Sequence, residues 1–220
     1  TFLFILVTIG TLLILQPDVS TLGIIALSGL LVYFSAQTPW YHILIFLFLG
    51  IIALIVLIPL APYRLARLMV FLNPNLDTMG IGYQLNQSLI TIGSGGLWGI
   101  GSIGEYQQLK YLPAAMSDAV FSVFAQGTGF IGSVFLISFF LIFMWRGLTI
   151  ADRARDPFLK YLSVGITSWI LLQAFINIGS MSGILPITGI PLPFISYGGS
   201  HLIAELIGVG ILLNISRDIS

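Results

Sequence analysis

The 220-residue chain carries eight basic and eight acidic residues, no cysteine, 57% hydrophobic side chains and a mean hydropathy of +1.06. A charged fraction of 7%, against roughly 25% in a soluble domain, leaves more apolar surface than one water-facing core can hide, so lipid is the solvent for much of the chain. Zero net charge argues against a nucleic-acid partner, and the lack of cysteine excludes disulfides, thiolate zinc sites and cysteine nucleophiles.

A membrane helix needs about 20 mainly apolar residues. Residues 1–15 read as such a helix without its start, ended by Gln16-Pro17-Asp18. No charged n-region followed by a cleavage site marks a signal peptide, so the chain is expected to open mid-protein. Val19 to Tyr63 contains no Asp, Glu, Lys or Arg and is too long for one span at about 1.5 Å per residue. The polar break Ser35-Ala36-Gln37-Thr38-Pro39-Trp40 divides it into spans at 19–35 and 41–60, the second closed by Pro59 and Pro62.

Residues 61–117 hold Arg64, Arg67, Asp77, Glu105 and Lys110, many glycines, and Asn and Gln in place of Leu and Ile. They read as a long, ordered, partly helical polar loop. Spans follow at 119–145 and 161–180, separated by a charged connector at 146–160. The stretch GILPITGIPLPFISYGG (183–199) carries three prolines and four glycines and cannot be continuous helix; a last span covers 200–215. The fold class is therefore all-α: one integral membrane domain over 1–220, a polytopic transmembrane helix bundle of six spans. It has a long outward loop and a broken Pro/Gly-rich segment before the last helix. No inverted internal repeat of the transporter kind is visible.

Orientation follows from lysine and arginine. Arg146, Arg153, Arg155, Lys160 and Arg217 fall on one side if the spans alternate, against Arg64, Arg67 and Lys110 on the other. The 146–160 connector is expected in the cytoplasm and the 61–117 loop outside.

Several short patterns have a plain reading beside a functional one. GIGSIG (99–104) matches the dinucleotide-binding spelling but lacks the preceding strand and the later acid, so it reads as close backbone packing and tight turns. Asp18, after a proline and before an apolar run, reads as a helix N-cap. His201 and Glu205 share one helix face, too few ligands for a metal, and Glu205 reads as a hydrogen-bonded carboxyl facing the bundle or as a functional intramembrane acid. His42 reads as interfacial. Arg64 and Arg67 either snorkel to headgroups or clamp a phosphate. Asp118, beside Ser117 at the head of a long apolar helix, either caps that helix or does chemistry.

The blocks QPDVST, PYRLARLMVFLNP, GYQLNQSLITIGSGGLWGIG, YLPAAMSDAVFSVFAQGTGFIG and LPITGIPLPFISYGGS occur in this order. Together, from about Leu12 to Arg217, they resemble the SEDS family (shape, elongation, division and sporulation) of bacterial cell-wall polymerases, RodA, FtsW and SpoVE. The resemblance implies ten spans, with four before Thr1 and the fifth cut. It implies a multi-pass protein of the bacterial cytoplasmic membrane with an outward-facing active site. Its pattern near the long loop, L-P-E-x-H-T-D-F, is met here by Leu112, Pro113 and Asp118, while Ala114, Met116, Ser117 and Ala119 stand for its glutamate, histidine, threonine and phenylalanine. Gln126 and Gly127 replace an acidic pair, and Glu205 stands where the family usually has asparagine.

The resemblance implies a peptidoglycan glycosyltransferase that joins lipid-linked disaccharide-peptide units (lipid II) into glycan strands for elongation, division or sporulation. Its implied partner is a class B penicillin-binding protein, a transpeptidase. Asp118 is the expected base, because a sugar hydroxyl is a poor nucleophile until a positioned carboxylate takes its proton. The departing lipid pyrophosphate calls for arginine, lysine or a divalent cation, magnesium or manganese. Arg64, Arg67, Lys110, Gln87, Ser196, Tyr197 and Ser200 are expected to bind substrate, and Asp18, Pro113, Ser117, Gly198, Gly199 and Glu205 to support the site. Two other readings stand beside this one, a flippase of the same precursor and an inactive scaffold for the transpeptidase.

Overall fold

The computed structural model describes residues 2–16, 18–36, 38–57, 59, 62–73, 80–101 and 116–217, and among them all regular structure is helical. In chain order the helices are α1 (Phe2–Leu15), α2 (Val19–Ser35), α3 (Tyr41–Leu57), α4 (Pro62–Leu72), α5 (Ile81–Ser94), α6 (Val120–Arg153), α7 (Pro157–Met181) and α8 (Gly199–Arg217). Three of them, α6, α7 and α8, are long and apolar enough to cross a membrane. Both α2 and α3 have 17 residues, at the short end of what spans a bilayer.

The core is α7. Its buried face includes Ile170, Leu171, Ala174, Ile178 and Met181, and α2, α5, α6 and α8 all pack on it. Buried Ser163, Thr167, Asn177 and Ser180 interrupt that apolar run. In a low-water interior such groups seek partners, and three of them find backbone carbonyls: Ser163 donates to Leu159 O, Ser180 to Ile176 O and Asn177 to Ile190 O, while Thr167 Oγ1 makes no hydrogen bond. Small residues let the helices approach: any side chain at Gly147 of α6 would collide with Thr167 of α7.

Helix α6 runs eight residues past the expected end of its span at 145, and α7 starts four residues early, so the charged connector shrinks to residues 154–156. The reason is local. Nothing between Arg146 and Arg153 breaks a helix, and leaving the apolar layer does not end one. What ends it is the Asp156-Pro157 pair, where Asp156 Oδ1 accepts from Phe158 N–H at 2.9 Å and proline stands in the first turn.

The middle of α6 is broken at Gly129, whose φ of 71° and ψ of −167° are non-helical. The turn after α5 fills the break. Ile100 N–H donates to Gln126 O at 3.0 Å and Gly101 N–H to Gly127 O at 3.2 Å; Phe130 N–H reaches Gly96 O at 2.9 Å and Ile131 N–H reaches Leu97 O at 3.2 Å. The carbonyls and amides that the break frees are thereby paired again. Gly99, with φ of 80°, lies backbone to backbone against Gly127 and Gly129, where no Cβ fits. The glycines of GIGSIG that are described, Gly99 and Gly101, therefore serve close packing and turns; the rest of that motif lies outside the described residues. Gln126, fully buried, donates to Ser94 Oγ at 2.8 Å and ties the same two helices.

The 61–117 stretch contains α4 and α5, as its partly helical reading anticipated; Pro62 opens α4 as well as following α3. Most described side chains of α3 are exposed, and Tyr33 of α2 meets this helix through its hydroxyl on His42 Nδ1 at 2.7 Å and its ring on Phe46.

Candidate functional site

Four segments converge at the head of α6: residues 116–119, the C-terminal part of α7, the irregular 182–198 stretch, and the first turns of α8. Asn177 of α7 is the central tie. Its amide group donates to Asp118 O at 2.6 Å and to Ile190 O at 2.7 Å, and it is buried. Ser196 provides a second tie, donating to Ser117 O while accepting from Leu192 N–H at 2.7 Å. A third is the Tyr197 N–H on Met116 O, at 2.8 Å. The backbone carrying Asp118 is thus held at three consecutive carbonyls.

The Asp118 side chain is not a helix cap. The N-cap of α6 is Ala119, which receives no side-chain hydrogen bond, and Asp118 Oδ1 instead accepts from Ser117 Oγ at 2.7 Å. Its Oδ2 faces Gly189, a residue with φ of 74°; a methyl there would sit 3.8 Å from this oxygen. The carboxylate is half-buried. Asp18, by contrast, is a cap: Oδ1 accepts from Thr21 N–H at 3.0 Å and Oδ2 from Thr21 Oγ1 at 2.6 Å.

The arginines lie on the other side of the same irregular stretch. Arg67 Nη1 donates to Thr188 O at 3.2 Å, and Ser20 Oγ donates to the same carbonyl at 2.9 Å. Arg64 and Arg67 both stand near the Tyr63 ring, 5.3 and 5.8 Å from its centroid. With Asp18, Tyr63, Pro186 and Thr188 they line a cavity of about 350 Å³. Thr188, held by Arg67, and Gly189, beside Asp118, are neighbours in sequence. One short segment therefore separates the guanidinium pair from the carboxylate.

Glu205 sits beneath the PFISYGG turn, fully buried on α8. Its Oε2 accepts from Phe194 N–H at 2.8 Å, at a residue whose φ of 65° is left-handed and costly for a side chain with a Cβ. His201 Nε2 approaches Glu205 Oε1 at 2.7 Å, but the two atoms are not aligned as a hydrogen bond, so the contact is electrostatic proximity. The pair is structural in position, bracing the turn that carries Ser196 and Tyr197. The Tyr197 ring is 85% exposed, Ser200 is exposed in the first turn of α8, and Gly198 O accepts from Leu202 N–H at 3.0 Å. Gly199 has open space around it, and no packing requirement explains it. Gln87 is half-buried on α5 and does not line the arginine cavity. Lys110 and Pro113 lie outside the described residues. Among the described residues no group of three or more His, Asp or Glu comes together to hold a metal ion.

Asn177, Thr188 and Gly189 are the contributors that sequence reading passed over. An uncharged amide in the apolar run FINIGS was the available signal for the first.

The family model described as cell cycle protein, FtsW/RodA/SpoVE, matches residues 1–220. The chain belongs to this SEDS family. It is 42% identical over 205 residues to stage V sporulation protein E of Bacillus subtilis, covering 92% of this chain and 55% of that one. It is 39% identical over 215 residues to the peptidoglycan glycosyltransferase MrdB of Escherichia coli, covering 96% and 58% respectively. Among solved structures it is similar to a chain of a peptidoglycan synthase complex in which polymerization and crosslinking are coordinated, with a TM-score of 0.83, 30% identity, and coverage of 100% of this chain and 61% of that one. It also resembles an aspartate-to-alanine mutant of the Thermus thermophilus rod shape determining protein RodA, with a TM-score of 0.66, 26% identity, and coverage of 99% and 56%. This SEDS chain is a multi-pass membrane protein, and it spans somewhat more than half the length of the curated relatives it matches.

Proposed function

We propose that this SEDS chain carries the polymerising site of a peptidoglycan glycosyltransferase, in which Asp118 is the general base and Arg64 and Arg67 receive the pyrophosphate of the lipid-linked donor. The observation that carries the reading is the state of Asp118. Its backbone is fixed by Asn177, Ser196 and Tyr197, while its carboxylate is not used to cap α6 and stands beside a glycine. A rigid backbone under an available carboxylate is what a positioned base requires.

In the reaction, the oxygen of an acceptor sugar hydroxyl attacks the anomeric carbon of the donor. Its proton passes to the Asp118 carboxylate, and the bond from the anomeric carbon to the lipid pyrophosphate breaks. The leaving group keeps the bonding electron pair, and its negative charge is met by guanidinium forks, whose donor geometry suits phosphate oxygens. Both substrates are lipid-anchored disaccharide-peptides (lipid II), so a site at the water edge of the outer leaflet of the bacterial cytoplasmic membrane lets them arrive without leaving the bilayer. Likeness to a chain of a synthase complex supports a class B penicillin-binding transpeptidase as partner.

Asp118→Asn in the full-length protein tests the assignment. Asparagine preserves size and the hydrogen bond from Ser117 but is a far weaker base, so the rate of glycan formation from purified precursor should fall roughly 10²–10⁴-fold with melting temperature unchanged. Near-normal polymer from this variant would remove Asp118 as base. A wild-type protein that makes no polymer even with its transpeptidase would leave the scaffold reading.

A further inference from the structure

At the end of the bundle opposite Asp118, a second cavity of about 500 Å³ opens between the last turns of α6 and the last turns of α8. Its inner wall is apolar: Leu212 is buried, and Phe143, Ile150 and Val209 are half-buried. At the rim stand three exposed arginines, Arg146 and Arg153 from α6 and Arg217 from α8. Among the described residues no carboxylate lines it. The two hydroxyls in its wall are already donors to their own helices, Thr149 to Trp145 O and Ser216 to Leu213 O, each at 2.7 Å, which leaves the guanidinium groups as the strong donors.

A soluble anion would have no use for the apolar wall, and an acyl chain alone would have none for the arginines. The two together match an amphiphile with an anionic head. The depth is right as well. Arg146 lies 5.8 Å from the ring of Trp145, which is 63% exposed, and an exposed tryptophan beside a cation marks the level where helix leaves hydrocarbon for headgroups.

We propose that this cavity is a binding site for an anionic phospholipid of the leaflet at that end, its phosphodiester held by Arg146 and Arg153 and its upper chain lying against Leu212 and Val209 between α6 and α8. A lipid seated there fills the seam between the two helices, and so links the leaflet composition at one end to the packing of α6, whose other end follows Asp118.

The test counts lipid bound to the full-length protein by native mass spectrometry during titration with phosphatidylglycerol or phosphatidylcholine of equal chain length. Wild type should retain phosphatidylglycerol preferentially. Arg146→Gln with Arg153→Gln should weaken it by about fivefold per arginine. Arg155→Gln removes a charge at the same end but outside the cavity, and should leave binding as it is. Leu213→Trp keeps every charge and fills the cavity, so it should also lose the lipid. Unchanged phosphatidylglycerol binding in both cavity variants would overturn the site, and so would displacement of the lipid by an equal concentration of inorganic phosphate.

Discussion

Asp18 and Asp118 show how little a residue's neighbours in sequence say about its job. Each precedes a long apolar helix, and each has a hydroxyl close by. Asp18 spends both oxygens on Thr21 at the start of α2, whereas the helix after Asp118 begins one residue late for its carboxylate to reach the first amides. The same scale governs Arg67 and Glu205. Arg67 uses one arm of its fork on Thr188 O. Lysine would keep the charge but lose the planar fork that sets one arm on that carbonyl and the other towards a phosphate, so Arg67→Lys should slow polymer formation by roughly tenfold, read in the precursor assay, whereas a purely snorkelling arginine would tolerate lysine. Removing Glu205 takes away the acceptor of the Phe194 amide and empties a fully buried position. Glu205→Ala should therefore cost roughly 1–3 kcal/mol, seen as a lower melting temperature, while Glu205→Gln keeps an accepting oxygen and should cost less. A Glu205→Ala protein as stable as wild type would free the turn from this brace.

At the scale of elements, the break in α6 carries the most structure per residue. Two glycines in QGTGF let the helix open, and the turn after α5 closes the opening with four backbone hydrogen bonds. Gly99 and Gly129 face each other there, both with positive φ, so Gly99→Ala and Gly129→Ala combine left-handed strain with a backbone collision. Each should destabilise by more than about 1 kcal/mol in thermal melts. Gly23→Ala is the contrast. That glycine is inside α2 with nothing within 4 Å of the added methyl, and the change should be neutral or stabilise by up to about 1 kcal/mol. Equal melting temperatures for the three variants would mean that the packed turn does not hold the break closed.

For the whole molecule, the distribution of arginine and lysine predicts that the Asp118 end faces outward and the Arg146–Arg153 end faces the cytoplasm. Single cysteines at Trp98 and Ala154 in a cysteine-free full-length background should separate in intact cells. Position 98 should react with a membrane-impermeant thiol reagent, and position 154 only after lysis. The reverse labelling would invert the site and place Asp118 in the cytoplasm.

The all-helical character was legible in the sequence, because an apolar run of near-uniform character must satisfy its backbone internally and does so as helix whatever surrounds it, whereas α4 and α5 were not delimited within the partly helical 61–117 stretch. The ends were less legible where charge was taken for a boundary: residues 146–153 remain helical because a helix stops at a cap or a proline, not at the edge of lipid. The family, too, was visible, since blocks such as PLPFISYGGS are local strings. The use to which those strings are put was not. That Ser196 and Tyr197 strap the segment bearing Asp118, that Asn177 joins α7 to both Asp118 and Ile190, and that Arg67 and Asp118 flank neighbouring residues of one irregular stretch are contacts between positions 13 to 121 residues apart. A carboxylate that could cap or catalyse has the same letters on either side in both cases. Which hydrogen bonds it accepts depends on where distant helices set the chain, and that only the tertiary structure decides.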